Sequence, residues 1–371
     1  MKNNDRPLYV MQILDTNGIA GIERHVLTLS EELIAQGVTC EIVTNGSNAL
    51  TRLASRSAIP YGTEFNGDTF SGKCWRLFRY VRKKNPDILH AHNGNSKMAA
   101  VLVGELLNKP VIFTQHFLRT RADHSLVLRK PLSYFHSKAN NRVKRIIAVS
   151  DCVAEGMRMR HGRKLTNMAV IPLGVKEPER RDVTESRGCA LRSSPRLIAY
   201  IGRLEPERQP ELLIDALGIV NEWTDAWEAC IIGEGSRLRR CRQLTDKLQL
   251  SSKITFTGWR EDVTDILHAA DILANPCAVE SFGLSTLEAM AIGKPVVAVK
   301  GNGSSELVQD GETGILTENN PLAFSGGILS LLENAEGAKE MGSNGRRRFQ
   351  EHYTAKKMAD SIIAIYKEVA I

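Results

Sequence analysis

Residues 8–44 read LYVMQILDTNGIAGIERHVLTLSEELIAQGVTCEIVT, and this stretch decides the fold. Leu8 to Leu14 is a short apolar run of β type. After a polar loop, Val26, Leu29, Leu33 and Ile34 recur at helical spacing on one face, which predicts a helix from about Gly21 to Gln36 with Gly37 as its stop. Thr39 to Thr44 is a second β-type run. Strand, helix and strand in that order are the unit of a parallel sheet with crossover helices.

The same alternation continues outward. In the first half the strands read Asp87 to Ala91, Val111 to Thr114, Arg145 to Val149 and Ala169 to Ile171. The composition then shifts: KEPERRDVTESRGCALRSSP, residues 176–195, is charged and without periodicity, and reads as a linker. A second series starts at RLIAYIG (196–202) and runs through AWEACIIG, KITFTG, DILANP and PVVAVK. The fold class is therefore α/β, with two tandem Rossmann-like domains: residues 1–175, and residues 196–354 after the linker. The last segment, 355–371, is an amphipathic helix with Met358, Ile362, Ile365 and Tyr366 on one side. Two doubly wound domains predict a cleft between them and ligands at the carboxyl edges of the strands.

A chain of 371 residues suits two domains of ordinary size. With 42% hydrophobic and 25% charged residues it is an ordinary globular mixture that leaves no room for a long disordered tail. The seven cysteines are scattered, odd in number and form no C-x-x-C, which argues against a disulfide framework and a thiolate metal site and fits a reducing compartment. The amino-terminal apolar run is too short for a signal-peptide core, and no later stretch approaches the roughly 20 residues of a membrane span. A cytoplasmic protein is expected. The net charge of +7 is uneven: residues 1–175 hold 25 Lys+Arg against 13 Asp+Glu, and residues 176–371 hold 24 against 29. A basic first half suits lipid headgroups, a phosphorylated glycan or nucleic acid, or is a solvated surface with no partner.

The densest chemical signal is ESFGLSTLE, Glu280 to Glu288, followed by AMAIGKPVV. It predicts a helix starting near Phe282 or Gly283, passing through Glu288 and ending at Gly293 before Pro295. The first turn of such a helix leaves backbone N–H groups unpaired at the positive end of the helix dipole, which favours an anion such as a diphosphate. Gly283 lets a ligand approach the backbone. Glu280 is then positioned to accept hydrogen bonds from sugar hydroxyls, and Glu288 from a ribose diol. On residue types alone, one glutamate favouring the helix dipole and another on a solvated face is an equal alternative.

In IGRLEPER, Ile201 to Arg208, two arginines follow a strand on one loop. Arg203 and Arg208 suit charge-assisted contacts to phosphate oxygens. Their alternative is surface ion pairs with Glu205 or Glu207. His90 and His92 share one face of a strand end and make a conceivable metal pair, but the sequence offers no third ligand nearby. His116 follows VIFTQ at a predicted carboxyl edge, where a lone histidine is ordinarily a packing or capping residue. There is no D-x-D, so no metal is expected, and Leu238 stands where a third glycine after Gly233 and Gly235 would complete a dinucleotide fingerprint.

Residues 196–316 resemble the donor-binding half of the retaining glycosyltransferases of family 4, which have the GT-B architecture. The strings that carry the resemblance are GRLEPER, IIGEGSRL, ITFTGWRED, ADILANP, the Glu280 to Glu288 signature with EAMAIGKPVVA, and GNGSSELVQDGETGIL. The first half is similar more loosely, in GIAGIERHV, DILHAHNGNS, VIFTQH, AVSDCV and VIPLGV. The resemblance implies that Arg203 and Arg208 hold the donor diphosphate, Glu288 the ribose, and Glu280 with the amides of Phe282, Gly283 and Leu284 the transferred sugar. It also implies a nucleobase near Trp259 and Arg260, Gly21 against the donor phosphate, and His116 reaching the transferred sugar. The final helix, by the same analogy, crosses back to the first domain. The chain departs from the family in having Arg208 where Lys is usual, Ala20-Gly21 for a common Gly-Gly, and Leu173 for an Asn.

The expected reaction is hexosyl transfer with retention from a nucleotide diphosphate sugar, a UDP-hexose ahead of GDP-mannose, with no cofactor and no metal. The expected acceptor is a glycan or lipid-linked glycan of envelope polysaccharide or lipopolysaccharide. A nucleotide-sugar epimerase and a noncatalytic nucleotide-sugar-binding protein are the alternatives, and no nucleic-acid motif is present. KCWRLFRYVRKK, Lys73 to Lys84, gathers Trp75, Phe78 and Val81 with Cys74 and Leu77 on one helical face amid basic residues. That suits an anionic membrane surface or an ordinary core-facing helix.

Overall fold

The computed structural model describes residues 6–16, 21–46, 49–67, 69–117, 138–161, 165–178 and 196–370. The chain forms two compact units, Met1–Lys176 with Ala355–Ile371, and Glu177–Thr354. Most of the expected linker, residues 179–195, lies outside the described residues.

Unit 1 is built on β1 (Tyr9–Leu14), β2 (Thr39–Thr44), β3 (Tyr61–Gly62), β4 (Ile88–Ala91), β5 (Val111–Gln115), β6 (Arg145–Ala148) and β7 (Met168–Val170). They make one sheet in the order β3-β2-β1-β4-β5-β6-β7, every pairing parallel. Unit 2 holds β8 (Leu197–Ile201), β9 (Glu228–Ile232), β10 (Ile254–Gly258), β11 (Ile272–Asn275), β12 (Val296–Val299) and β13 (Gly314–Thr317), in the order β10-β9-β8-β11-β12-β13. In each sheet the order reverses at one place, between β1 and β4 and between β8 and β11. Loops leaving the two strands at such a point diverge to opposite faces and open a crevice at the carboxyl edge.

The strands are short apolar runs rather than alternating ones because helices cover both faces. All four residues of β12, VVAV, are buried, as are all four of β4. Helix ends follow local chemistry. Asn93 caps the helix Gly94–Leu107 by accepting from the Ser96 amide at 3.0 Å, and Asn108 closes it in the left-handed region at φ 51°. Among the described residues no helix is long and apolar enough to cross a membrane.

The final helix, Ala355–Val369, buries Met358, Ala359, Ile362, Ile363, Ile365 and Tyr366 against Val10, Leu29, Leu33, Ile88, Ile112 and Ile147 of unit 1. Fully burying one such side chain stabilises by about 1.5–3 kcal/mol, so a charge at Ile362 would strip the helix from the sheet. The chain thus closes the first sheet with its last residues.

Several local expectations are corrected. Val26, Leu29 and Leu33 are buried, but Ile34 is 40% exposed, because one step past Leu33 turns it about 100° away. Leu77 and Val81 are the buried positions of the helix Phe70–Lys84, whereas Trp75 stands out at 62% exposure. The helix expected from Phe282 or Gly283 begins at Leu284 and ends at Ile292, with Gly283 (φ 100°) and Gly293 (φ 81°) outside it. The strands β3 and β13 were not expected.

Candidate active site

In unit 2 the loop leaving β8 is held from below by the loop leaving β9. Gly202 donates to Ile232 O at 3.0 Å and Leu204 to Glu234 O at 2.8 Å. The approach is so close that a Cβ on Gly233 would lie 2.0 Å from Gly202 O, and one on Gly235 2.3 Å from Leu204 O. The Gly-x-Gly read in the sequence is therefore a packing device that carries Arg203 and Arg208. Arg203 is 58% exposed along its side chain and pairs with Glu207 at 3.1 Å, the partner that the salt-bridge alternative offered. Arg208 does not follow that alternative. It pairs directly with Glu280 and lies 3.4 Å from Cys277 Sγ.

The loop leaving β11 places Glu280. Asn275, the last residue of the strand, donates through Nδ2 to Thr286 Oγ1 at 3.0 Å and Ser304 Oγ at 3.2 Å. Asn302 donates to Cys277 O at 2.7 Å, and the Gly303 amide donates to Glu280 O at 2.9 Å. A side chain at Gly303 would strike the Phe282 amide at 2.5 Å. The β11 and β12 loops are thus locked together, and Glu280, 6% exposed, is held beside Phe282, Gly283 and the start of the helix Leu284–Ile292. No side chain caps that helix start. Leu284 and Glu288 are half-buried. Burial opposes the charge of Arg208, but the Glu280 carboxylate outweighs it and the guanidinium pKa is raised. Burial pushes the Cys277 thiol up to about 11.

Asn275, Asn302 and Ser304 were missed as site-forming residues. Their signal was polar side chains ending two adjacent apolar runs, DILAN and the PVVAVK of β12 with its following GNGS. Trp259 and Arg260 leave β10, two strands from β8 and so roughly 10 Å along the sheet. Trp259 is 54% exposed, and Arg260 grips Asp262 through two hydrogen bonds of 2.7 and 2.5 Å.

In unit 1 Gly21 is the exposed first residue of the helix Gly21–Ala35, and residues 17–20 before it lie outside the described residues. His116 follows β5 and is 7% exposed. It belongs to a group of four buried histidines, His25, His90, His92 and His116, gathered at the carboxyl ends of β4 and β5 under the helix that carries His25. The expectation of no third ligand beside His90 and His92 is corrected. Ring nitrogens of His25, His92 and His116 lie within 4.8 Å of one another, while both nitrogens of His90 are taken by Tyr366 and Thr114. His92 Nδ1 and His116 Nε2 meet directly at 3.2 Å. Burial lowers the pKa of His25 and His90 to about 3, and burial reinforced by the neighbouring rings lowers those of His92 and His116 well below the usual value. All four rings are neutral at pH 7. His116 and His92 line a cavity of about 100 Å³ with Lys97, Gln115, Asn140 and Arg160.

Comparison with known proteins gives a family match to each unit. The family model "Glycosyltransferase Family 4" matches residues 19–177, and "Glycosyl transferases group 1" matches residues 184–348. A phosphatidyl-myo-inositol mannosyltransferase of Mycobacterium leprae is 27% identical over 370 residues, covering 94% of this chain and 93% of its own. An uncharacterized glycosyltransferase of Methanocaldococcus jannaschii is 24% identical over 361 residues, covering 95% of both. Among solved structures, HepE of Anabaena in complex with UDP-glucose superposes with a TM-score of 0.86 at 19% identity, over 97% of this chain and 99% of that one. With two Rossmann-type units and family matches on both, the chain belongs to the family 4 glycosyltransferases of GT-B fold.

Proposed function

We propose that this glycosyltransferase moves a hexosyl group, with retention of anomeric configuration, from a nucleotide diphosphate sugar to a glycan or lipid-linked glycan acceptor of envelope polysaccharide. A UDP-hexose is the favoured donor. The observation that carries the reading is the Arg208–Glu280 pair beside the uncapped start of the helix Leu284–Ile292. Cationic side chains and free amides suit a leaving diphosphate, and preorganised donors of this kind lower the barrier where charge develops. Arg203 and Arg208 neutralise the diphosphate without a metal ion. Glu280 and the amides of Phe282, Gly283 and Leu284 take the sugar, Glu288 the ribose, and Trp259 with Arg260 the base. Unit 1 supplies Gly21 to the phosphate and His116 to a sugar hydroxyl. No carboxylate is assigned as a nucleophile, so attack comes from the face the leaving phosphate occupies, and that phosphate accepts the acceptor's proton.

The related HepE is seen with UDP and with UDP-glucose, which supports the uridine donor. The mycobacterial relative acts on a phosphatidylinositol, which supports a lipid-linked acceptor at a membrane surface. The exposed aromatic and basic face of the helix Phe70–Lys84 fits such a surface.

The test is a thermal-shift panel of UDP-, GDP- and ADP-sugars with the wild type, Arg203→Ala and Glu288→Ala. A tight donor raises Tm by mass action. Arg203 is exposed, so its removal leaves the stability of the unliganded protein within about 0.5 kcal/mol of wild type and cuts turnover severely. Glu288→Ala weakens donor binding. No stabilisation by any nucleotide sugar, or near-normal turnover in Arg203→Ala, rules the reading out.

A further inference from the structure

One ring nitrogen of His116 ends a chain of buried hydrogen bonds that begins on the C-terminal helix. Tyr366 Oη lies 3.1 Å from Gln12 Nε2, Gln12 Oε1 lies 2.6 Å from His92 Nε2, and His92 Nδ1 lies 3.2 Å from His116 Nε2. Tyr366 Oη also meets His90 Nδ1 at 2.6 Å, and His90 Nε2 meets Thr114 Oγ1 at 2.8 Å. Tyr366, Gln12, His90 and Thr114 are 1% exposed or less, His92 is 1% exposed and His116 7%. Four stretches of sequence more than 350 residues apart at their extremes thus share one polar thread inside an apolar core; Gln12 and Tyr366 are 354 positions apart.

The Gln12 amide, with Nε2 toward Tyr366 Oη and Oε1 toward His92 Nε2, gives the thread its direction. The rings are neutral, so each carries one proton. An amide donates only through nitrogen. With Gln12 Nε2 donating to Tyr366 Oη, the tyrosine hydroxyl donates its own proton to His90 Nδ1, and His90 Nε2–H donates to Thr114 Oγ1. Gln12 Oε1 then accepts from His92 Nε2–H, His92 Nδ1 carries a lone pair, and that lone pair accepts from His116 Nε2–H. His116 is left with a bare Nδ1, which has no hydrogen-bond partner among the described residues. Its ring lines the cavity beside Lys97 and Asn140.

We propose that Tyr366 is a positioning residue for His116: by accepting from Gln12 Nε2 while its own proton goes to His90, it holds the amide oxygen toward His92 and so keeps, through His92, the tautomer whose bare Nδ1 accepts a hydrogen bond from a sugar hydroxyl. The inference rests on the assignment of His116 to a sugar hydroxyl under the proposed function. Turning the amide over would run every bond the other way, place a proton on His116 Nδ1 and convert the acceptor into a donor. The final helix thereby governs the chemistry of a residue on a different strand, besides closing the sheet.

Histidine-selective ¹⁵N labelling reads the tautomer without any assay of transfer, with His116→Ala identifying the His116 signals. The wild type is expected to show a protonated Nε2 and a bare Nδ1. Tyr366→Phe, which keeps the ring packing, shifts those signals toward a mixture of tautomers and lowers kcat by about tenfold to a hundredfold, with donor KM within about twofold. Gln12→Met interrupts the same thread at a second place and reads the same way should the tyrosine variant fold poorly. A wild-type His116 protonated on Nδ1 overturns the proposal, as does a tautomer and kcat that neither variant moves. Stoichiometric zinc recovered with the protein also overturns it, because His25, His92 and His116 would then each turn a bare ring nitrogen to the ion in place of the thread. A tautomer that responds as expected in a protein that transfers no sugar upholds the thread and removes only the sugar assignment of His116.

Discussion

Arg208 and Glu280, 72 residues apart in sequence, form a direct ion pair between the loops that leave β8 and β11, with the glutamate side chain 8% exposed. A carboxylate that deep depends on its cation, and breaking such a pair from one side costs about 3–5 kcal/mol. Discounting for the 28% exposure of the Arg208 side chain, about 2–3 kcal/mol is expected here.

Arg208→Ala should therefore lower Tm and also lower transfer by about 10²–10³-fold, the loss seen when one preorganised donor to a developing anion is removed. Adding Glu280→Gln in the same chain removes the buried charge and should recover Tm while leaving the transfer defect in place. Arg208→Lys should keep most of the stability but only part of the rate, since an ammonium lacks the planar fork. Calorimetry with a donor-consumption assay separates the two effects. A double variant that regains both Tm and rate would mean the arginine serves the fold alone.

The sequence singled out both residues, but not their contact. Arg208 had two glutamates within three positions, and local spacing favoured them. The actual partner is brought in by topology, because β8 and β11 are neighbours in the sheet although two strands intervene in the chain. The same limit applies to the histidines. His90 and His92 announced themselves at i and i+2, but His25 joins only because its helix packs over the sheet, and Tyr366 only because the last helix returns. Apolar runs such as DILAN and PVVAV gave the strands within a residue, whereas the two-residue β3 and the glycine-started β13 carry too few apolar positions to register.

The buried histidines make stability depend on pH in a defined sense. His25 and His90 have a pKa of about 3 when folded against 6.5 when unfolded, so between those values the unfolded chain binds protons that the native state refuses. Their contribution is fully present above pH 6.5 and is lost as pH falls, at about 2 kcal/mol for each histidine by pH 5. Tm should accordingly drop between pH 7.5 and pH 5. Both ring nitrogens of His25 lack hydrogen-bond partners among the described residues, so His25→Leu should cost little at pH 7.5 and should flatten the decline. An identical pH profile in that variant would show that His25 is not held neutral.

The helix Phe70–Lys84 presents Trp75 stacked on Phe78, ring centroids 5.7 Å apart and planes within 14°, amid exposed Arg76, Arg79, Arg82 and Lys83. Lys73 and Lys84 at its two ends are instead paired with Asp15 at 2.9 Å and Glu41 at 3.5 Å. A large ring left 62% exposed finds an apolar phase in the headgroup region, and each basic residue near an anionic leaflet adds about 1 kcal/mol. The protein should float with anionic vesicles at low salt, stay behind with zwitterionic ones, and be released as salt shortens the reach of the charges. Arg76→Glu with Arg79→Glu should weaken binding at least about tenfold without lowering Tm, since neither side chain is buried. Trp75→Ala should weaken it even at low salt, where the charges are intact. Wild-type protein that remains at the bottom of an anionic gradient at low salt would leave this face as a solvated exterior and remove the membrane from the reaction.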